Sequence, residues 1–186
     1  MPLPVPAERE EVYFRHTACT GYRRSDGLWD IDARFVDRRP FDYPCFDRGG
    51  MVPAGDAFHD LLLRLTVDDD LVIHGLDVKL EKFPYKQCPC AEAAFKAVVG
   101  LKICAGFSKE VHRAIPAKSG CAHLFGLLVE AAGAAFQAVS QVRIMKYCNG
   151  VKPDPLDSCV AWDSSGEMVK RQWPDWYKEK SNGTAG

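Results

Sequence analysis

Leu28-Trp29-Asp30-Ile31-Asp32-Ala33-Arg34-Phe35 alternates apolar and polar side chains. A strand points successive side chains to opposite faces, so Trp29, Ile31, Ala33 and Phe35 share one face and Asp30, Asp32 and Arg34 the other. One face meets a core and the other meets water, which predicts a half-buried antiparallel sheet. Upstream, residues 11–24 are rich in β-branched and aromatic types, and Ser25-Asp26-Gly27 supplies turn chemistry. Together they predict an N-terminal hairpin over residues 11–37.

Further along, residues 38–57 carry Pro40, Pro44, Gly49, Gly50, Pro53 and Gly55, so regular structure is not expected. That loop delivers Phe58-His59-Asp60. A second hairpin follows, with strands over 61–67 and 71–83 around Asp68-Asp69-Asp70, and Pro84 ends it. The acidic triplet lacks the glycine and distal glutamate of an EF-hand loop and reads as a solvated turn. Helical character begins after Cys90: residues 91–99, a short helix capped by Ser108 and closed before Pro116, and a long helix over 121–144. In the long helix Cys121, Leu124, Phe125, Leu128, Ala132, Ala135, Phe136 and Val139 form one stripe. Gly126 and Gly133 offer room for a neighbouring element. A C-terminal hairpin is expected over 156–176, with strands 159–162 and 167–173, and the tail from Ser181 reads as disordered. The sum is one α+β domain over 1–186, an antiparallel β-sheet with helices packed on one face.

Composition narrows the function. The 186 residues can bury a sizeable core, and 47% hydrophobic with 26% charged residues is ordinary for a globular protein. A net charge of -1 argues against a nucleic-acid binder or a polybasic membrane binder. No apolar run approaches the roughly 20 residues of a membrane span. Met1-Pro2-Leu3-Pro4-Val5-Pro6 reads as a proline-stiffened arm rather than a secretory signal, so a cytoplasmic location is expected. The eight cysteines then read as reduced thiols, most of them buried packing residues.

Three polar stations carry the candidate chemistry: His59-Asp60, Cys88-Pro89-Cys90 and Cys121-Ala122-His123. His59 can ligate a metal or act as a base, with Asp60 as ligand or partner; alternatively Asp60 caps backbone amides at a strand start. Adjacent residues on an extended segment face opposite ways, so both reach one site only from a bent loop. Cys88 and Cys90 put both sulfurs on one side of an extended chain, and a helix start nearby lowers a thiol's pKa. The alternative is a buried pair under the helix. Cys121 and His123 are about 200° apart on a helix, so only one can face a metal from regular helix. Cys121 is either a low-pKa thiol at the helix start or a core residue. Arg23 and Arg24 can bind an anionic substrate or serve as hairpin-rim charges.

Runs throughout the chain resemble a bacterial family catalogued as domain of unknown function 2889. They are residues 21–31, residues 47–55, His59-Asp60, Cys88-Pro89, residues 120–124 and Trp173-Pro174. More distantly, residues 50–139 resemble the scaffold proteins of iron–sulfur cluster assembly, which implies a NifU/SufE-like core over 50–145. In those scaffolds three cysteines and an aspartate converge on a cluster or zinc. Cys88 and Cys121 match the second and third cysteines, and His59-Asp60 stands where the first cysteine and its aspartate would be.

The leading expectation is a metal site of His59, Asp60, Cys88 and Cys121, with Cys90 or His123 as substitutes, holding zinc or iron. An open position there would serve a small-molecule lyase or hydrolase. Two rivals stand beside it. One is an iron–sulfur or sulfur-transfer accessory protein acting through Cys88 or Cys121. The other is a metal-free enzyme with His59 and Asp60 as its catalytic acid/base pair. Trp173 and Trp176 point to homodimer contacts.

Overall fold

The computed structural model describes residue 4 and residues 7–179. Both the N-terminal arm and the tail expected from Ser181 lie outside or almost outside these residues. The chain forms two compact units, Met1–Val139 and Ser140–Gly186.

In the first unit, β1 (Phe14–Arg23), β2 (Trp29–Arg38), β5 (Ala57–Val67) and β6 (Ile73–Lys82) form an antiparallel sheet in the order β1-β2-β5-β6. The alternation read from β2 holds: Ile31, Ala33 and Phe35 are buried while Arg34 is exposed. In β5, Leu61, Leu63, Leu65 and Val67 point to the same core. Asp68 shapes the turn to β6 by accepting from the amides of Asp70 and Val72 and from His74. It is a self-capped, solvated turn.

The loop over 38–57 is more regular than its prolines and glycines suggest. It folds into β3 (Tyr43–Cys45) and β4 (Gly50–Val52) around a 3-10 turn, Phe46–Arg48. Gly49 and Gly50 take left-handed φ of 75° and 93°, so they bend the chain between the two short strands. β5 also begins at Ala57, four residues earlier than the apolar run implies.

Residues 88–98 coil as 3-10 turns on either side of α1 (Ala91–Ala94). α2 (Phe107–Ala114) starts from Gly106, one turn's edge earlier than the Ser108 cap expected. α3 (Ala122–Ala138) ends sooner than the 121–144 helix expected, and α4 (Ser140–Cys148) opens the second unit. α3 packs on β1, β2 and β5. Its buried Leu124, Leu127, Leu128, Ala131, Ala132 and Ala135 follow helical spacing. A fully buried leucine contributes about 1.5–3 kcal/mol, so this stripe is what fixes the helix to the sheet. Close approach is carried by Gly21, where a Cβ would stand 3.0 Å from Ala138 Cβ. Gly126 and Gly133 have nothing within 4 Å and do not serve that role.

In the second unit the expected hairpin is absent. Val160–Trp162 and Pro174–Trp176 are 3-10 turns and α5 is Glu167–Gln172. Val169 and Trp173 stand one helical turn apart and are buried with Tyr147. Trp162 stacks on Trp173 with centroids 4.3 Å apart. Helical geometry lets these large rings cluster, and that packing overrides strand propensity. Among the described residues, no single helix is long and apolar enough to cross a membrane.

Candidate functional site

β2 keeps its alternation for one step beyond Phe35, and the next core-facing residue is Asp37. It is only 2% exposed. Burying a carboxylate is costly unless it is paired and hydrogen-bonded, and Asp37 is both. Across the sheet its registered partner is His59 on β5, with a register shift at Asp37/Arg38. Such irregularities re-aim side chains and are frequent beside active sites.

Asp37 Oδ1 accepts the backbone N–H of His59 at 2.9 Å and lies 3.0 Å from His59 Nδ1. Oδ2 accepts the Tyr13 hydroxyl at 2.8 Å, and Arg15 Nε donates to the same hydroxyl at 3.0 Å. An ionised carboxylate can only accept, so the hydrogen bond places a proton on His59 Nδ1. In the neutral imidazole that leaves the Nε2 lone pair free. Burial pushes the Asp37 carboxyl up, but the hydrogen bonds from His59 and Tyr13 outweigh it and hold the carboxyl below its ordinary range.

His123 comes from the first turn of α3. Its ring lies 4.1 Å from the His59 ring and 5.3 Å from Phe35. It makes no hydrogen bond to the protein among the described residues. Burial, then the charges of His59 and Arg15, push its pKa down against the pull of Asp37. A neutral imidazole with an available lone pair is the state a metal ligand needs. One donor atom each from Asp37, His59 and His123 falls within 4.8 Å of the others.

The expected site residues separate into three places. His59 and His123 join the cluster, and no cysteine does among the described residues. Asp60 faces the opposite side of the sheet, where Arg34 grips it with bonds of 2.8 and 2.7 Å. Because β5 is already extended at residue 57, His59 and Asp60 must point apart. The outer-face groove near Asp60 (about 390 Å³) is lined by Asp32, Arg34 and Arg64, and these side chains are spent on ion pairs.

Cys88, Cys90 and Cys121 line a cleft of their own, about 660 Å³, with Tyr85 and Lys118. Burial pushes the Cys88 thiol up, contrary to the lowered pKa expected at a helix start. The helical pieces after it are too short to carry a strong dipole. Nor are the cysteines mostly core: Cys45 is buried, while Cys90, Cys104, Cys148 and Cys159 are exposed. Arg24 is held by Asp26 and Asp30, and Arg23 lies 5.6 Å from the Trp29 ring.

Asp37 is the residue that sequence reasoning missed. Its signal was an acid on the apolar parity of β2, two residues past Phe35.

A model for the family described as "Protein of unknown function (DUF2889)" matches residues 13–137, and the chain belongs to that family. The matched span contains Tyr13, Asp37, His59 and His123, whereas Trp173-Pro174 lies beyond it. No curated protein and no solved structure matches the chain.

Proposed function

We propose that this DUF2889 protein binds a divalent transition metal, zinc or iron, at Asp37, His59 and His123. The observation that carries this reading is the convergence of three donor atoms within 4.8 Å around a buried carboxylate. Metal–ligand bonds for these donors run at roughly 2.0–2.2 Å, so small side-chain rotations close the set on one ion. Two imidazoles with one carboxylate is a donor set that zinc and ferrous iron both accept. In the metal-free chain Asp37 orients the His59 ring through Nδ1; as a ligand on the same ion it would exchange that hydrogen bond for the metal.

Three protein donors leave positions for water or a substrate oxygen. A metal held this way supplies Lewis acidity, which fits hydrolytic or lyase chemistry on a small carbonyl-type substrate. The chain's own contribution is to fix the His59 ring through Asp37, to push the His123 pKa down by burial, and to shield both rings among Phe35 and Phe58.

A second reading is favoured by the Asp37–His59 bond itself. A carboxylate behind Nδ1 also primes an imidazole as a general base, with no metal needed. Equilibrium dialysis against zinc separates the two. Retention of about one ion per chain supports the metal centre. No retention, with folding intact, supports the Asp37–His59 base.

A further inference from the structure

With Asp37, His59 and His123 as the working site, the charges around them decide what it accepts; this step rests on that assignment. Elsewhere on the sheet, three arginines are matched to acid, while Arg23 and Arg38 lie against the Trp29 and Phe14 rings. Arg24 meets Asp26 and Asp30, Arg64 meets Asp32, and Arg34 meets Asp60.

Around the site the arginines lie against aromatic rings or backbone and are not matched to acid. Arg15 lies 4.8 Å from the Phe35 ring and 5.6 Å from Tyr13. Arg39 is boxed by Tyr43, Phe58 and Tyr13 at 3.9, 4.7 and 5.7 Å. Arg48 donates to the carbonyl of Ala57. Among the described residues none of these three guanidiniums makes an ion pair. Three carboxylates at this end are committed elsewhere: Asp37 to His59 and Tyr13, Asp42 to the Ala54 amide, and Asp47 to the Lys86 amide.

One atom is left unsatisfied. Arg39 Nη1 is buried with no hydrogen-bond partner. A buried donor of a charged group without an acceptor is costly, and an incoming oxygen would relieve it. Phe35 joins the charge to the chemistry, since Arg15 sits on a ring that also lies 5.3 Å from His123.

We propose that the site takes a small molecule with an oxyanion head, carboxylate or phosphate, using Arg15 and Arg39 as its countercharge. The guanidinium fork matches the two oxygens of either head. The chain's net charge of -1 favours a small anion over a nucleic acid, which needs an extended basic track.

The test uses full-length metal-free protein, so that anion binding and metal binding are read separately. Histidine ring resonances are followed by NMR while benzoate, and in a second arm inorganic phosphate, is added at constant ionic strength against chloride. The expected result is a saturable shift of His123 with at least one anion, and the arm that shifts it names the head. Arg15→Gln, at an exposed position, weakens that binding about tenfold or more, while Arg64→Gln leaves it unchanged. The proposal is overturned if neither anion outdoes chloride, or if Arg15→Gln binds as tightly as the parent. Loss of zinc retention with intact anion binding would sink the metal centre and leave this assignment standing.

Discussion

Asp37 and His59 are cross-strand partners, and one carboxylate oxygen of Asp37 serves both the His59 amide at 2.9 Å and its ring Nδ1 at 3.0 Å. The imidazole is thus held at its backbone and at its ring by the same atom. Such a bond fixes tautomer and ring plane together, leaving one nitrogen to meet a ligand.

Removing that carboxylate leaves three donors without an acceptor. Asp37→Ala should therefore destabilise the fold in urea unfolding, by roughly 1–3 kcal/mol for each buried His59 donor left unsatisfied. Asp37→Asn keeps an acceptor and should cost less, while losing metal affinity by more than the roughly 10–100-fold that loss of an orienting partner costs.

Protonation gives an independent check. The His123 pKa is pushed below its ordinary value of 6.5, so between that value and its folded value the unfolded chain binds a proton that the folded chain does not. Stability contributed by this group is complete above about pH 6.5 and declines as pH falls below it. Thermal melts from pH 8 to pH 5 should show a falling Tm, and His123→Gln should flatten the slope in this window. An unchanged slope would mean that His123 titrates normally.

Asp60 should behave as half of an outer-face ion pair, its own side chain 13% exposed. Its partner Arg34 has a largely solvated side chain (58% exposed), and such pairs contribute about 0–1 kcal/mol. Asp60→Ala is expected to unfold within that margin of the parent and to retain its zinc.

Thiol labelling tests the placement of the cysteines. Cys90, Cys104, Cys148 and Cys159 should react quickly with a maleimide, whereas Cys45, whose thiol donates to the Pro84 carbonyl at 3.1 Å, should be protected until unfolding. Rapid labelling of Cys45 in the native protein would contradict its burial.

Much of the sheet was legible because period-two alternation is strong wherever one face is dry, as at Ile31, Ala33 and Phe35. The site was half legible. His59 and His123 stood out as polar residues among apolar ones, but Asp37 was hidden among acids and arginines at a strand end. The grouping of His59 with Asp60 depended on a bent loop, and the β2 pairing makes that segment extended. The C-terminal aromatics misled for another reason: Trp162 and Trp173 have strand propensity, yet stacking on each other and on the Tyr147 core decides their conformation. The cysteine spacing, legible as a ligand pattern, builds a cleft apart from the histidines.

The central claim is tested most directly by cobalt substitution. Titrating metal-free protein with Co²⁺ should give d–d absorption bands that saturate at about one ion per chain. His59→Ala and His123→Ala should abolish them, and Cys88→Ser with Cys121→Ser should leave them unchanged. Bands that survive loss of both histidines, or vanish with the cysteines, would contradict a centre built on Asp37, His59 and His123.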